Sequence, residues 1–272
     1  MSKKRTTDDV GQFIDQLEKQ INRAPDGVNT NSLREALRSI VESFGVPGDD
    51  RVKIWFLLDR SGSMESLAED VIGGFNQFVT EQAAKPGKAR LTAVQFDGQN
   101  PFEVIYDAQQ ISTVRQLTSS VYRPRASTPL HDAMGKLIQT ADRRVANRSE
   151  KNKPEEDQLV IVFTDGLENA SLEFDRAQVF ELIKERTDAG WTFVFMGANQ
   201  DSYAEGHKIG MNDGNVQNYQ ATPDSVKDAF ASISRASLDF RNKDSLQRVM
   251  DQKHFFGGVK EAEDADEGKL VR

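Results

Sequence analysis

The chain has 272 residues, 43 acidic against 35 basic side chains, a formal net charge of −8 and no cysteine. With 37% hydrophobic and 8% aromatic residues it can bury a core, while a mean hydropathy of −0.60 and an isoelectric point near 5.1 argue against the concentrated basic face that nucleic acid or an anionic membrane requires. The lack of cysteine excludes a disulfide framework, thiolate zinc, iron–sulfur ligation and a thiol nucleophile, and it fits a reducing cytosol.

The first residues, MSKKRTTDDV, start basic but continue acidic and polar where a signal peptide needs an apolar stretch. No segment approaches the ~20 apolar residues of a membrane span. The expected location is therefore cytoplasmic, with neither nucleic acid nor membrane as a partner. Val10, Phe13, Ile14, Leu17 and Ile21 recur at helical spacing, as do Leu33, Leu37, Ile40, Val41 and Phe44 after the break APDGVNTN. Residues 1–48 read as a helical hairpin, too small to bury its own stripes, that docks either on the rest of the chain or on another protein.

After the turn-rich joint at Gly45–Asp50, apolar runs alternate with helical patterns. VKIWFLLD (52–59) is a buried strand ending in an acid, and a helix follows from about Met64 to Lys85. ARLTAVQFD and FEVIYD form a strand pair around the turn GQNP. A helix over 128–145 leads to a second apolar strand, DQLVIVFTD (157–165). A helix over 174–189 and the strand WTFVFMGA follow, then a short helix at 204–209, a short strand at 216–219 and a helix over 223–241. Strands apolar at nearly every position are buried on both faces. They predict an α/β, doubly wound, mostly parallel central sheet with helices on both faces, spanning 49–242. Residues 243–272 read as an acidic, disordered tail, since from Gly257 onward almost nothing is available to bury.

In such sheets ligands sit outside the carboxyl ends of the strands. Three stretches fall there: Asp59-Arg60-Ser61-Gly62-Ser63, Ser127-Thr128-Pro129-Leu130 and Thr164-Asp165-Gly166. In the first, a carboxylate and two hydroxyls occupy alternate residues, so an extended backbone aims all three to one side. Hydroxyls, carboxylates and waters are the oxygen donors that Mg²⁺ accepts, with Mn²⁺ the second choice.

These residues resemble the metal-ion-dependent adhesion site of the von Willebrand factor A domain: the D-x-S-x-S loop after the first strand, the Thr of STPL at a helix start and the Asp of FTDG, in the family's order. The likeness runs from about Val52 to Asn242, and WTFVFMGANQD is similar to bacterial and phage intracellular members. The resemblance implies a Rossmann-like fold in which Ser61, Ser63 and Thr128 reach the metal directly and Asp59 and Asp165 act mainly through water. It also implies that the missing ligand is a Glu or Asp of a protein partner. Intracellular relatives are associated with AAA+ ATPases of the MoxR type, with stress-response systems and with phage.

Simpler readings exist for each residue. Asp59 and Ser61 could cap a helix N-terminus, and His131 and Asp132 suit an exposed first helical turn. Glu168 and Asn169 either support the metal's surroundings or face water, and the Gly73-Gly74 pair suggests close packing on the sheet. A phosphoaspartyl hydrolase would need an acid where Ser61 stands. A serine hydrolase would need a G-x-S-x-G elbow and a histidine partner, and no nucleotide loop is present. The expectation is a non-enzymatic adaptor or regulatory module that binds an acidic residue through Mg²⁺. The rivals are a Mg²⁺-dependent hydrolase with Glu168 as base and a structural assembly subunit.

Overall fold

In the computed structural model, residues 51–198 and 202–257 are described; the N-terminal hairpin of 1–48 and the tail beyond Gly257 lie outside them. Six strands, β1 (Arg51–Asp59), β2 (Lys88–Asp97), β3 (Asn100–Gln110), β4 (Asp157–Thr164), β5 (Thr192–Ala198) and β6 (Val216–Tyr219), form one sheet in the order β3-β2-β1-β4-β5-β6. Only the β2–β3 hairpin is antiparallel. The α/β, doubly wound expectation therefore holds.

Alternation along β1 divides the core between two faces. Ile54, Phe56 and Leu58 join one apolar cluster and Trp55 and Leu57 the other, which is the period of two expected of a strand. The first face is covered by α1 (Ala68–Ala84) and α5 (Pro223–Asn242). In α1, Val71, Phe75, Phe78, Val79 and Gln82 are buried at helical spacing. Phe56 meets Phe75 edge-on at 5.3 Å and stacks on Phe230 at 6.1 Å, so this interface is largely aromatic. Burying each such ring is worth about 1.5–3 kcal/mol. The second face carries α2 (Leu130–Glu150) and α3 (Arg176–Asp188), through Met134, Leu137, Val179 and Ile183. The short α4 (Ser202–Lys208) precedes β6.

Three details depart from the sequence reading. The helix expected from Met64 opens as a 3₁₀ turn, Gly62–Leu67, before α1 begins. The boundary of the tail at 243 falls too early. Asp244 caps α6 (Ser245–Met250) with a capping box, Arg248 is 2% exposed, and Phe255 and Phe256 are buried in the first apolar cluster. Acidity further along masked this turn of buried aromatics. Finally, of the two helical glycines only Gly74 is in close contact, and its neighbour is Phe230 of α5 rather than the sheet; nothing lies within 4 Å of a Cβ on Gly73.

Strand order reverses between β1 and β4. From β1 the chain proceeds toward one edge and from β4 toward the other, which leaves a crevice between their carboxyl ends.

Candidate metal centre

The crevice collects the three polar stretches. Leu58 opposes Phe163 in the β1–β4 register, so Asp59 stands level with Thr164, and Thr164 Oγ1 donates to Asp59 Oδ2 at 2.5 Å. The other carboxylate oxygen, Oδ1, accepts from the Ser61 amide at 2.7 Å. That bond folds the loop after β1 back on itself. Ser61 Oγ lies 3.1 Å from Ser63 Oγ, and Ser63 Oγ donates to Asp165 Oδ1 at 2.7 Å. An unbroken chain of oxygens thus runs from the serine loop to the end of β4.

Thr128 arrives from a third direction, just before α2. Asn169 holds its backbone from both sides, accepting from the Thr128 amide at 2.9 Å and donating its own amide to the Thr128 carbonyl at 3.1 Å. A Cβ at Gly166 would come within 2.9 Å of Thr128 Oγ1 and 3.7 Å of Asp59 Oδ2. The glycine therefore lies against both groups. Asp59, Ser61 and Thr128 are buried, Asp165 is half-buried and Ser63 is exposed, so the oxygen set opens to solvent on the Ser63 side. The structure brings all five expected residues together.

Among the described residues no cationic side chain pairs with the acids of the site. Burial pushes the Asp59 carboxyl up to about 7, opposed by its bonds from Thr164 and Ser61 and reinforced by the charge of Asp165. Burial also raises Asp165, against the bond from Ser63. The described residues also contain no group of three or more His, Cys, Asp or Glu placed to hold a metal ion. A donor set of three hydroxyls and two under-compensated carboxylates fits a hard divalent cation with retained waters, and it does not fit a closed zinc cage.

Further residues of this crevice emerge only in three dimensions. Tyr122, fully buried, donates its hydroxyl to the Asp59 carbonyl, and Tyr219 donates to the Thr164 carbonyl at 3.1 Å. Thr164, in the FTDG stretch, joins the crevice through its bond to Asp59. Asp132 does stand in the first turn of α2, but not at the surface. It is 4% exposed, and its carboxylate accepts from the amides of Leu172, Glu173 and Phe174. Glu168 is likewise occupied, accepting from the amides of His131, Ala170 and Ser171 and from Ser171 Oγ. Although burial opposes ionisation, those bonds hold its carboxyl below the usual range.

The family model of the von Willebrand factor type A domain matches residues 53–232. No curated protein matches the chain. Among solved structures it is similar to the pilus adhesin SpaC of Lactobacillus rhamnosus GG in an open conformation, at 13% identity and a TM-score of 0.52, over 68% of this chain and 30% of that one. It is also similar to the manganese-loaded TRAP protein of Plasmodium vivax (15%, 0.48; 68% and 72%). A third is proximal thread matrix protein 1 of the mussel byssus with a zinc-occupied MIDAS motif (16%, 0.49; 68% and 47%). Such identities speak to fold alone, and the chain spans 47% and 43% of the lengths of the first two solved proteins it matches. With well over half of its residues matched by the family model, and with the sheet order and polar crevice described above, the chain belongs to the von Willebrand factor type A domain family.

Proposed function

We propose that the chain is a metal-dependent protein-binding module, an adaptor or regulatory subunit that engages an acidic residue of its partner and performs no chemistry of its own. The observation that carries this reading is the convergence of Asp59, Ser61, Ser63, Thr128 and Asp165 on one solvent-open crevice. Ser61, Ser63 and Thr128 would hold Mg²⁺, or Mn²⁺, through neutral hydroxyls, with Asp59 and Asp165 behind them. A cation so held, when bound, supplies positive charge that its own ligands leave poorly neutralised, and it attracts one more anionic oxygen. A partner Glu or Asp is the natural source, in keeping with a family of metal-dependent interaction and adhesion domains.

Against the hydrolase reading stands the condition of Glu168, whose lone pairs are committed to three donors of its own loop and to the His131 amide at the start of α2. A general base must be free to accept a proton from the reacting group. A cytoplasmic setting and an acidic partner surface, such as that of an AAA+ ATPase, remain part of the proposal. Among the described residues no helix is long and apolar enough to cross a membrane.

The test is affinity purification of the partner from the native host at saturating Mg²⁺, with wild type, Thr128→Ala and Asp165→Ala in parallel, repeated with EDTA. Recovery that EDTA and both substitutions abolish supports the reading. Equal recovery by Thr128→Ala moves the interaction to another surface, and phosphoester turnover lost in Glu168→Ala would favour the hydrolase.

A further inference from the structure

Asp97, at the end of β2, touches none of the five oxygen donors, yet it lies behind two of the three loops that carry them. Its carboxylate is fully buried and its two oxygens have separate partners. Oδ1 accepts the amides of Gln99 at 2.7 Å and Asn100 at 3.0 Å, closing the β2–β3 turn. Oδ2 accepts Arg60 Nε at 2.8 Å and Arg125 Nε at 3.0 Å, with Arg60 Nη2 a further ion pair at 2.5 Å. Arg60 sits between Asp59 and Ser61, and Arg125 lies three residues before Thr128. The buried carboxylate therefore ties the serine loop to the threonine loop.

The backbone between these loops depends on the same alignment. Arg125 donates its amide to the Arg60 carbonyl, and Gly62 donates to the Ala126 carbonyl, both at 2.9 Å. To present that carbonyl, Ala126 adopts φ +58°, a left-handed conformation that is strained for a non-glycine residue and persists only where surroundings enforce it. The turn after Asp97 supplies a further contact, because a Cβ on Gly98 would meet Ser127 Oγ at 2.2 Å. Arg60 Nη2 also reaches Glu103 at 2.6 Å, anchoring the serine loop to β3.

A simple ion-pair cluster would need only one arginine and no strained backbone. Two guanidinium groups from separate loops on one carboxylate oxygen, beside a two-bond backbone bridge, make a spacer of fixed width. We propose that Asp97 is a positioning residue of the metal centre: by holding Arg60 and Arg125 on one oxygen it sets the separation between the Ser61/Ser63 loop and Thr128. The inference rests on the metal reading above, and it is tested so that the two can fail separately.

Arg125→Gln is the discriminating variant, since the Arg125 side chain is 43% exposed and its loss leaves the core intact. Pure electrostatics predicts that removing a positive charge near a cation site tightens binding. The spacer predicts the opposite sign. Mn²⁺ titration of the full chain, followed by the electron paramagnetic resonance of free Mn²⁺, should show several-fold weaker binding in Arg125→Gln. Asp97→Asn, which can keep the turn bonds through its amide oxygen, should lose about tenfold, a typical effect for a group that orients metal ligands. Arg123→Gln, in the same loop but donating to the Ser119 carbonyl, should bind as wild type does. If Arg125→Gln binds Mn²⁺ as tightly as wild type or more tightly, the spacer role is wrong. If wild type takes up no Mn²⁺, the metal reading falls and the spacer with it.

Discussion

Ser63 Oγ donates to Asp165 Oδ1 at 2.7 Å across 102 positions of sequence. This bond joins the loop after β1 to the end of β4, so the two residues act as one donor group at the open side of the crevice. Asp165→Ala removes that acceptor together with negative charge beside the cation, and it should weaken Mg²⁺ and partner binding in parallel. Thr128→Ala removes one neutral oxygen that water can replace, so metal affinity should fall modestly while partner affinity falls by about 1.5–3 kcal/mol, as for a lost charge-assisted hydrogen bond. Calorimetry with Mg²⁺, then with the purified partner, separates the two patterns; identical losses in both variants would contradict the division of roles.

Neighbouring glycines should respond to alanine with opposite signs. A Cβ on Gly74 would lie 2.3 Å from Phe230 Cδ2, whereas none on Gly73 meets anything within 4 Å. Gly73→Ala should stabilise the chain by up to ~1 kcal/mol through helix propensity, and Gly74→Ala should cost about 1–3 kcal/mol by overpacking the α1–α5 interface. Urea unfolding of the two variants measures both, and equal effects would mean that α1 and α5 are not in the contact described.

Helix α5 is tied to the end of α1 by a buried arginine. Arg241 Nη1 donates to the Gln82 carbonyl at 2.6 Å and to Gln82 Oε1 at 3.1 Å, and Nη2 donates to the Lys85 carbonyl at 3.2 Å. These are carbonyls that the C-terminus of a helix leaves without intrahelical partners. Arg241→Ala should destabilise the fold by about 2–4 kcal/mol, the cost of several buried acceptors left unpaired. A loss below ~1 kcal/mol in chemical denaturation would show that water replaces the guanidinium there.

Lys53 introduces a pH dependence unrelated to the metal. Its ammonium is buried on the second face, donating to Thr92 Oγ1 at 2.6 Å and standing 3.9 Å from the centre of the Trp55 ring. Burial above all, then the charge of Arg144, lowers it well below the ordinary lysine value of 10.5. In the window between the lowered value and 10.5, the unfolded chain holds a proton that the folded chain has released. This residue's contribution to stability therefore rises with pH across that window and levels off above it. Lys53→Met should flatten that alkaline rise, whose upper end is set by the ordinary lysine value of 10.5. Denaturant unfolding across that range checks it, and parallel curves for the two proteins would contradict it.

The crevice was legible where its chemistry is local. Asp59 and Asp165 stand at the ends of the most apolar strands, the serines alternate with the acid on one loop, and Thr128 stands just before α2. What surrounds them was not. Thr164 meets Asp59 only because of the β1–β4 register, and Asn169, 41 positions on, reaches Thr128 only because α2 and β4 carry the chain back to the same end of the sheet. Asp97 looks in sequence like any turn residue before a glycine, because its arginine partners come from two other loops. Gly73 and Gly74 are equivalent in one dimension and differ by where Phe230 falls. The buried Phe255 and Phe256 are not legible in the sequence, because the acidic stretch that follows them outweighs two aromatics in the local composition.

Titration calorimetry of Mg²⁺ and Mn²⁺ into wild type and Asp59→Ala tests most directly whether Asp59, Ser61, Ser63, Thr128 and Asp165 form one divalent-cation site. A single site per chain in wild type, weakened about tenfold or more when Asp59 is removed, is the predicted result. Equal metal affinity in the two proteins would contradict the assignment.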